Sequence, residues 1–103
     1  MAGKKDKIDR FIKKIKKRFN PQKILLFGSR ARGDNLKDSD YDILIISNEF
    51  KNLNFRERII EVYKLVEEPL NVEVICITPE EFDARKNELS IVGVAAREGK
   101  VIA

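Results

Sequence analysis

Histidine is absent from the 103-residue sequence, and so is tryptophan. The missing imidazole excludes Ser-His-Asp triads, Cys-His nucleophile pairs and most zinc sites. Any chemistry must therefore depend on carboxylates, hydroxyls, lysine and arginine. A metal site built only from oxygen ligands favours hard cations such as magnesium or manganese.

Cysteine and long apolar runs are also scarce. The single cysteine, Cys76, cannot form an internal disulfide, which fits a reducing cytoplasm. No apolar run approaches the roughly 20 residues of a membrane span, and no apolar signal segment follows the basic N-terminus. We therefore expect a cytoplasmic protein without membrane contacts. At this length the sequence predicts a single domain over residues 1–103.

Positive charge is concentrated at the N-terminus, although the net charge of the whole chain is only +4. Residues 1–18 hold nine Lys and Arg against two Asp, so the remainder is acidic. Apolar residues at helical spacing predict a basic amphipathic helix within residues 1–20, packed as part of the same domain. Its lysine face favours a solvated surface, with RNA or partner binding as the alternative. Because no aromatic side chains interleave with the lysines, nucleic-acid binding is the weaker reading.

Apolar periodicity predicts alternating strands and helices over the rest of the chain. The predicted strands cover residues 23–27, 41–47 and 71–77, and the predicted helices cover 55–67 and 79–98, with a break near Ser90. One apolar face of the helix 55–67 is expected to be buried, and it consists of Phe55, Ile59, Val62, Tyr63 and Val66. This order predicts an α/β (α+β) fold in which a small mixed sheet has helices packed on one side.

Two aspartates open the second predicted strand. Asp40 and Asp42 are two residues apart, so they point to the same side, with Cα atoms about 6–7 Å apart. Like charges this close repel unless a proton or a cation lies between them. Divalent metal ions would satisfy both carboxylates and could clamp the oxygens of a phosphoryl transfer. The plain alternative is a polar strand entry.

A third carboxylate lies in the next strand. Glu73 is flanked by Val72 and Val74, and strand alternation places it on the face opposite these valines. A lone Glu in an apolar strand is either exposed to solvent or part of a site.

A glycine-serine pair ends the first predicted strand. Gly28 allows the backbone to approach a ligand closely, and nearby N–H groups with the Ser29 hydroxyl can hold phosphate oxygens. Arg30 and Arg32 follow at once and can bind phosphate in a bidentate manner, or can form ion pairs within the loop.

Two similar motifs do not fit. An EF-hand register starting at Asp38 fails because Ile43 occupies the glycine position and lies in a strand. A Walker A reading of Gly28 and Gly33 lacks the lysine that follows the second glycine.

Gly28-Ser29, ten residues and then Asp40-Tyr41-Asp42 resemble the G-S-x10-D-x-D signature of DNA polymerase β-like nucleotidyltransferases. The stretch GSRARGDNLKDSDYDILI is most similar to the minimal nucleotidyltransferases of bacteria and archaea. The resemblance implies a nucleotidyltransferase fold, triphosphate binding by Gly28 and Ser29, and magnesium binding by Asp40 and Asp42. It implies two magnesium ions, replaceable by manganese, and ATP as substrate. Glu73 falls at the third carboxylate position, where the family usually has Asp.

The resemblance also implies a biological role. Short members are similar to antitoxins that pair with an α-helical HEPN-type toxin and transfer AMP to a tyrosine hydroxyl of it. The first hypothesis is therefore a magnesium-dependent nucleotidyltransferase acting on a partner protein. The alternatives are a non-catalytic antitoxin that neutralises its partner by docking and, more weakly, a small basic RNA-binding protein. Exposed sheet edges also make a homodimer an expectation.

Overall fold

Four strands and five helices form the described part of the chain, which is residues 4–33 and 40–103 of a computed structural model. The strands are β1 (Lys23–Phe27), β2 (Tyr41–Ile46), β3 (Val72–Ile77) and β4 (Lys100–Val101). The helices are α1 (Lys4–Phe19), α2 (Ser29–Arg32), α3 (Phe55–Tyr63), α4 (Pro79–Arg85) and α5 (Ile91–Glu98), with a 3₁₀ turn at Asn48–Phe50. Of the predicted loop 28–39, residues 34–39, which include Asp38, lie outside the described residues.

The strands form one mixed sheet in the order β3-β2-β1-β4. β1 is antiparallel to both β2 and β4, whereas β2 and β3 run parallel. Because of these directions, the C-terminal end of β1 meets the N-terminal ends of β2 and β3 at one end of the sheet. In this register Asp42 pairs with Phe27 on one side and with Glu73 on the other. The predicted mixed sheet is confirmed.

Helices cover both faces of the sheet, so the prediction that they pack on one side is wrong in that detail. Ile43 and Ile45 point into a core shared with α1 and α3. Leu44 and Ile46 point into a second core, which α5 covers. The physical reason is that β1 and β2 are continuous apolar runs, and strands of this kind need cover on both faces.

The apolar face predicted for the helix 55–67 is largely exposed. Phe55, Ile59 and Tyr63 are 50%, 40% and 40% exposed, and α3 ends at Tyr63. Val62 is fully buried, and the other buried position of α3 is taken by Arg58, which is 5% exposed. Apolar periodicity did not identify the buried face of α3, because Arg58, a charged residue, occupies part of it and is held there by hydrogen bonds.

Arg58 joins four parts of the fold. Its guanidinium donates hydrogen bonds of 2.7–3.2 Å to the carboxylate of Glu81 and to the carbonyl oxygens of Phe50, Leu53 and Cys76. The same Glu81 oxygen accepts the N–H of Thr78, which forms part of a capping box at the start of α4. Because a buried cation needs both a counter-charge and hydrogen-bond acceptors, this network fixes the positions of α3, β3 and α4.

Three cations of the basic helix α1 are engaged within the fold. Arg10, Lys14 and Arg18 recur every four residues and form ion pairs of 2.6, 2.9 and 3.6 Å with glutamates. The partners, in the same order, are Glu68, Glu67 and Glu61. These pairs leave fewer cations of α1 available for nucleic acid, which weakens the RNA-binding alternative. In the described residues, no helix is both long and apolar enough to cross a membrane.

We predict that Arg58→Ala lowers the free energy of unfolding by about 3–5 kcal/mol, because it leaves Glu81 without its counter-charge in a partly buried position. Urea denaturation monitored by circular dichroism measures the change. Lys86→Ala is the control, since it removes an exposed ion pair with Asp83 and should cause no measurable loss. An equal stability for both variants would contradict the structural role of the Arg58 network.

Candidate active site

Gly28 connects the end of β1 to α2, and its place in the structure requires glycine. Its φ is +74°, in the region that side chains with a Cβ rarely adopt. A Cβ built at this position would overlap the carboxylate of Asp42. The Gly28 carbonyl accepts the N–H groups of Ala31 and Arg32, which forms the tight turn that follows. Gly28 therefore lets the β1–α2 turn lie directly against the acidic side chain of β2.

Ser29 begins α2 and is partly buried at the same end of the sheet. The side chain of Asp42 contacts Gly28, and the backbone of Gly28 turns directly into Ser29. The glycine-serine pair and Asp42 are therefore neighbours in space, although about a dozen positions separate them in sequence.

Asp42 and Glu73 meet across the parallel strands β2 and β3. They occupy directly paired positions, and their carboxyl groups lie close to each other. Burial raises the pKa of Asp42 first, and the negative charges of Glu73 and Asp40 raise it further. The positive charge of Arg32 acts in the opposite direction. Asp42 is thus a carboxyl group surrounded by an excess of negative charge.

Asp40 lies at the edge of this pair. It is exposed, and it precedes β2, but it is close enough for its charge to affect Asp42. Glu73 is exposed while Val72 and Val74 are buried, so its expected orientation away from the valines is confirmed. Within residues 4–33 and 40–103, no three acidic or cysteine side chains are arranged closely enough to hold a metal ion together. The metal-binding roles of Asp40, Asp42 and Glu73 stay predictions.

These three carboxylates nonetheless have the chemistry that a hard divalent cation requires. They supply only oxygen ligands. A cation bound between Asp42 and Glu73 would relieve the repulsion between these like charges. Burial is the largest cause of the raised pKa of Asp42, and repulsion by Glu73 and Asp40 adds to it. The donor set therefore fits magnesium or manganese, the ions expected from the sequence.

The two arginines after Ser29 occupy different environments. The guanidinium of Arg30 lies over the ring of Tyr41, 4.1 Å from its centroid, whereas Arg32 is exposed and close to Asp42. Phosphate binding stays a prediction for both. The contact of Arg30 ties α2 to the residue between the two aspartates.

Tyr63 is a site residue that sequence reasoning missed. Its hydroxyl donates a 2.8 Å hydrogen bond to the carbonyl oxygen of Val72, next to Glu73. Helical periodicity assigned Tyr63 to the core, and no signal in the sequence linked this residue to a strand nine positions later.

Residues 8–97 match the family model of the nucleotidyltransferase domain. The chain belongs to this family. A curated relative from Methanocaldococcus jannaschii, named "Putative protein adenylyltransferase", is 38% identical over 58 residues. The aligned segment covers 56% of this chain and 46% of that relative, which is less than half of its length. The similarity thus supports a nucleotidyltransferase domain in this chain and does not identify the acceptor.

Solved structures agree on the fold of this nucleotidyltransferase domain. A "putative nucleotidyltransferase" from Sulfolobus solfataricus superimposes with a TM-score of 0.64 at 23% identity, over 98% of this chain and 87% of that chain. BolA1 from Arabidopsis thaliana also superimposes, with a TM-score of 0.58 at 19% identity, over 79% of this chain and 98% of that one. At these identities the comparisons establish the fold alone, so function must be argued from the site.

We predict that Asp42→Asn is more stable than the parent protein in EDTA at pH values above the raised pKa of Asp42. Folding raises this pKa, so the ionised carboxylate destabilises the folded state, and that cost disappears as the pH falls towards the ordinary carboxyl pKa. The stability advantage of the variant should therefore shrink as the pH is lowered. Thermal unfolding across a pH series, with Glu49→Gln as control at the other end of β2, measures it. A constant difference at all pH values would contradict the electrostatic explanation.

Proposed function

We propose that this nucleotidyltransferase domain transfers AMP from ATP to a hydroxyl group of a partner protein and requires magnesium. The observation that carries the proposal is the contact between Asp42 and Glu73 directly beside the Gly28-Ser29 turn. This arrangement combines paired oxygen ligands with a backbone turn suited to phosphate. Both are needed for nucleotidyl transfer and neither is needed to stabilise the fold.

The triphosphate would lie over the turn between β1 and α2. Gly28 leaves the backbone uncovered there, and the Ser29 hydroxyl and nearby N–H groups can donate to phosphate oxygens. Arg32 is exposed and close to Asp42, so its guanidinium can bind a phosphate held between the turn and the carboxylates. These donors would position the α-phosphate at Asp42.

Asp40, Asp42 and Glu73 would hold magnesium, which neutralises phosphate charge when bound and favours departure of pyrophosphate. In the transfer, the acceptor oxygen forms a bond to the α-phosphorus. The bond from that phosphorus to the oxygen bridging to the β-phosphate breaks, and pyrophosphate leaves. Glu73 is exposed, so its carboxylate can accept the proton that the acceptor hydroxyl loses.

A protein acceptor is supported by two features. The curated relative is named as a protein adenylyltransferase, although this chain matches less than half of it. In addition, α3 exposes Phe55, Ile59 and Ile60 beside β3, and the surface of a monomeric protein rarely groups large apolar side chains in this way. An α-helical toxin of the HEPN type, as implied by the sequence resemblance, is the partner that we propose.

We predict that the protein labels its co-purified partner from ATP carrying ³²P at the α-phosphate, and does not label it from ATP carrying ³²P at the γ-phosphate. Asp42→Asn should lower the labelling rate at least about 100-fold, since loss of groups that only orient metal ligands already costs about 10- to 100-fold. Glu49→Gln is the matched control and should keep the parent rate. EDTA should abolish labelling, and added manganese should restore it. Full activity of Asp42→Asn would rule out the assigned site.

A second candidate function is neutralisation of the partner by docking alone. The exposed apolar side chains of α3 favour it, because they could bind a partner without any chemistry. The longer Glu73 at a position where the family usually has Asp also fits a site that has lost activity.

We predict that the two functions separate in the double variant Asp40→Asn/Asp42→Asn. If docking is sufficient, this variant should co-purify with the partner and inhibit it as well as the parent does. If transfer is required, the variant should bind the partner without inhibiting it durably. Intact mass of the partner before and after ATP addition shows which case holds, because adenylylation adds one AMP per acceptor hydroxyl.

A further inference from the structure

We propose that Tyr63 is a positioning residue that holds Glu73 against Asp42. The inference rests on the proposed function, because it assigns Tyr63 a role in the same transfer reaction. Its basis is the pattern of bonds around β3, which is an edge strand of the sheet.

Glu73 is only the second residue of this edge strand. β2 bonds to β3 on one side, beginning with the N–H of Tyr41 and the carbonyl of Asn71. On the other side, no strand formed by residues 4–33 or 40–103 pairs with it. The ends of edge strands open more easily than central strands do, so a catalytic carboxylate here needs additional support.

Tyr63 supplies this support from α3. Its hydroxyl donates to the carbonyl of Val72 at 2.8 Å. This carbonyl and the N–H of Glu73 belong to the same peptide group. The hydroxyl therefore holds the peptide group that leads into Glu73 and fixes the strand so that the Glu73 side chain remains on the Asp42 face.

The helix that carries Tyr63 is itself held in place. The N-terminus of α3 is closed by a capping box of Asn54 and Glu57. One turn before Tyr63, Arg58 donates to the carbonyl of Cys76 at 3.2 Å, further along the same outer edge of β3. Arg58 and Tyr63 thus bond to two outward-facing carbonyl groups of β3, those of Cys76 and Val72. These bonds make the outer edge of β3 less suited to pairing with a strand of a second copy.

The hydroxyl is the group that distinguishes this role from simple packing. Tyr63 is 40% exposed, so its ring contributes only part of its surface to the core. Tyr63→Phe keeps the ring and removes the hydrogen bond to Val72. Lys64→Ala is the control because Lys64 follows Tyr63 directly in the sequence and forms an exposed ion pair with Glu61.

We predict two effects of Tyr63→Phe. In the metal-free protein, amide hydrogen exchange at Glu73 should accelerate about 10-fold, while the amides of β1 remain at the parent rate. In the transfer assay, kcat should fall about 10-fold, because Glu73 is less well held, while KM for ATP should change less than about 2-fold, since the Gly28-Ser29 turn is untouched. Lys64→Ala should reproduce neither effect.

The outcomes separate this inference from the proposed function. Parent rates of Glu73 exchange in Tyr63→Phe would overturn the inference even if the parent enzyme is active. Faster exchange spread equally over β1, β2 and β3 would also overturn it, because the residue would then only stabilise the fold. If the parent protein transfers no label, the proposed function fails, and local acceleration at Glu73 would leave a structural role for Tyr63 without a catalytic purpose.

Discussion

The parallel register of β2 and β3 is the constraint on which the site depends, because it sets Asp42 directly beside Glu73. A shift of one residue would move Glu73 to the valine face and separate the two carboxylates. The antiparallel register of β1 and β2 pairs Asp42 with Phe27 and so brings Asp42 against Gly28, where a Cβ would overlap its carboxylate. Strand pairing, and not the flexibility of a loop, therefore determines which acidic groups meet.

A pair of like charges is a cost to the fold, and the rest of the structure offsets it. Apolar cores on both faces of the sheet supply the main stabilisation, since β1 and β2 are buried on both sides. Arg58 ties the outer part of the sheet together through Glu81, and the ion pairs of α1 hold the segment before β3. Stability is thus built away from Asp42, where it does not compete with ligand binding.

Local patterns in the sequence were sufficient for three of the four described strands and for most of the helices. The continuous apolar runs at residues 23–27 and 41–47 predicted two of these strands. The same runs should also have indicated cover on both faces, which the one-sided prediction overlooked. The buried face of α3 could not be found by hydropathy, because Arg58 occupies it through hydrogen bonds to distant residues. For the site, the spacing of Gly28 and Asp42 and the lone Glu73 in an apolar strand selected residues that the fold brings to one end of the sheet, whereas the contact of Tyr63 with β3 depends on tertiary packing.

The structural similarity to BolA1 explains why the site, and not the fold, carries the functional argument. A mixed sheet with helices is shared by chains of different names, and at 19% identity it says nothing about chemistry. What separates this chain is a small set of polar groups that a stable sheet does not need. Asp42 has a raised pKa and lies beside Glu73. Gly28 has a positive φ, which allows the turn to approach these carboxylates. Groups that raise the energy of the fold and converge at one end of a sheet favour a ligand that relieves them, and this is the basis on which we propose a divalent cation with a nucleoside triphosphate.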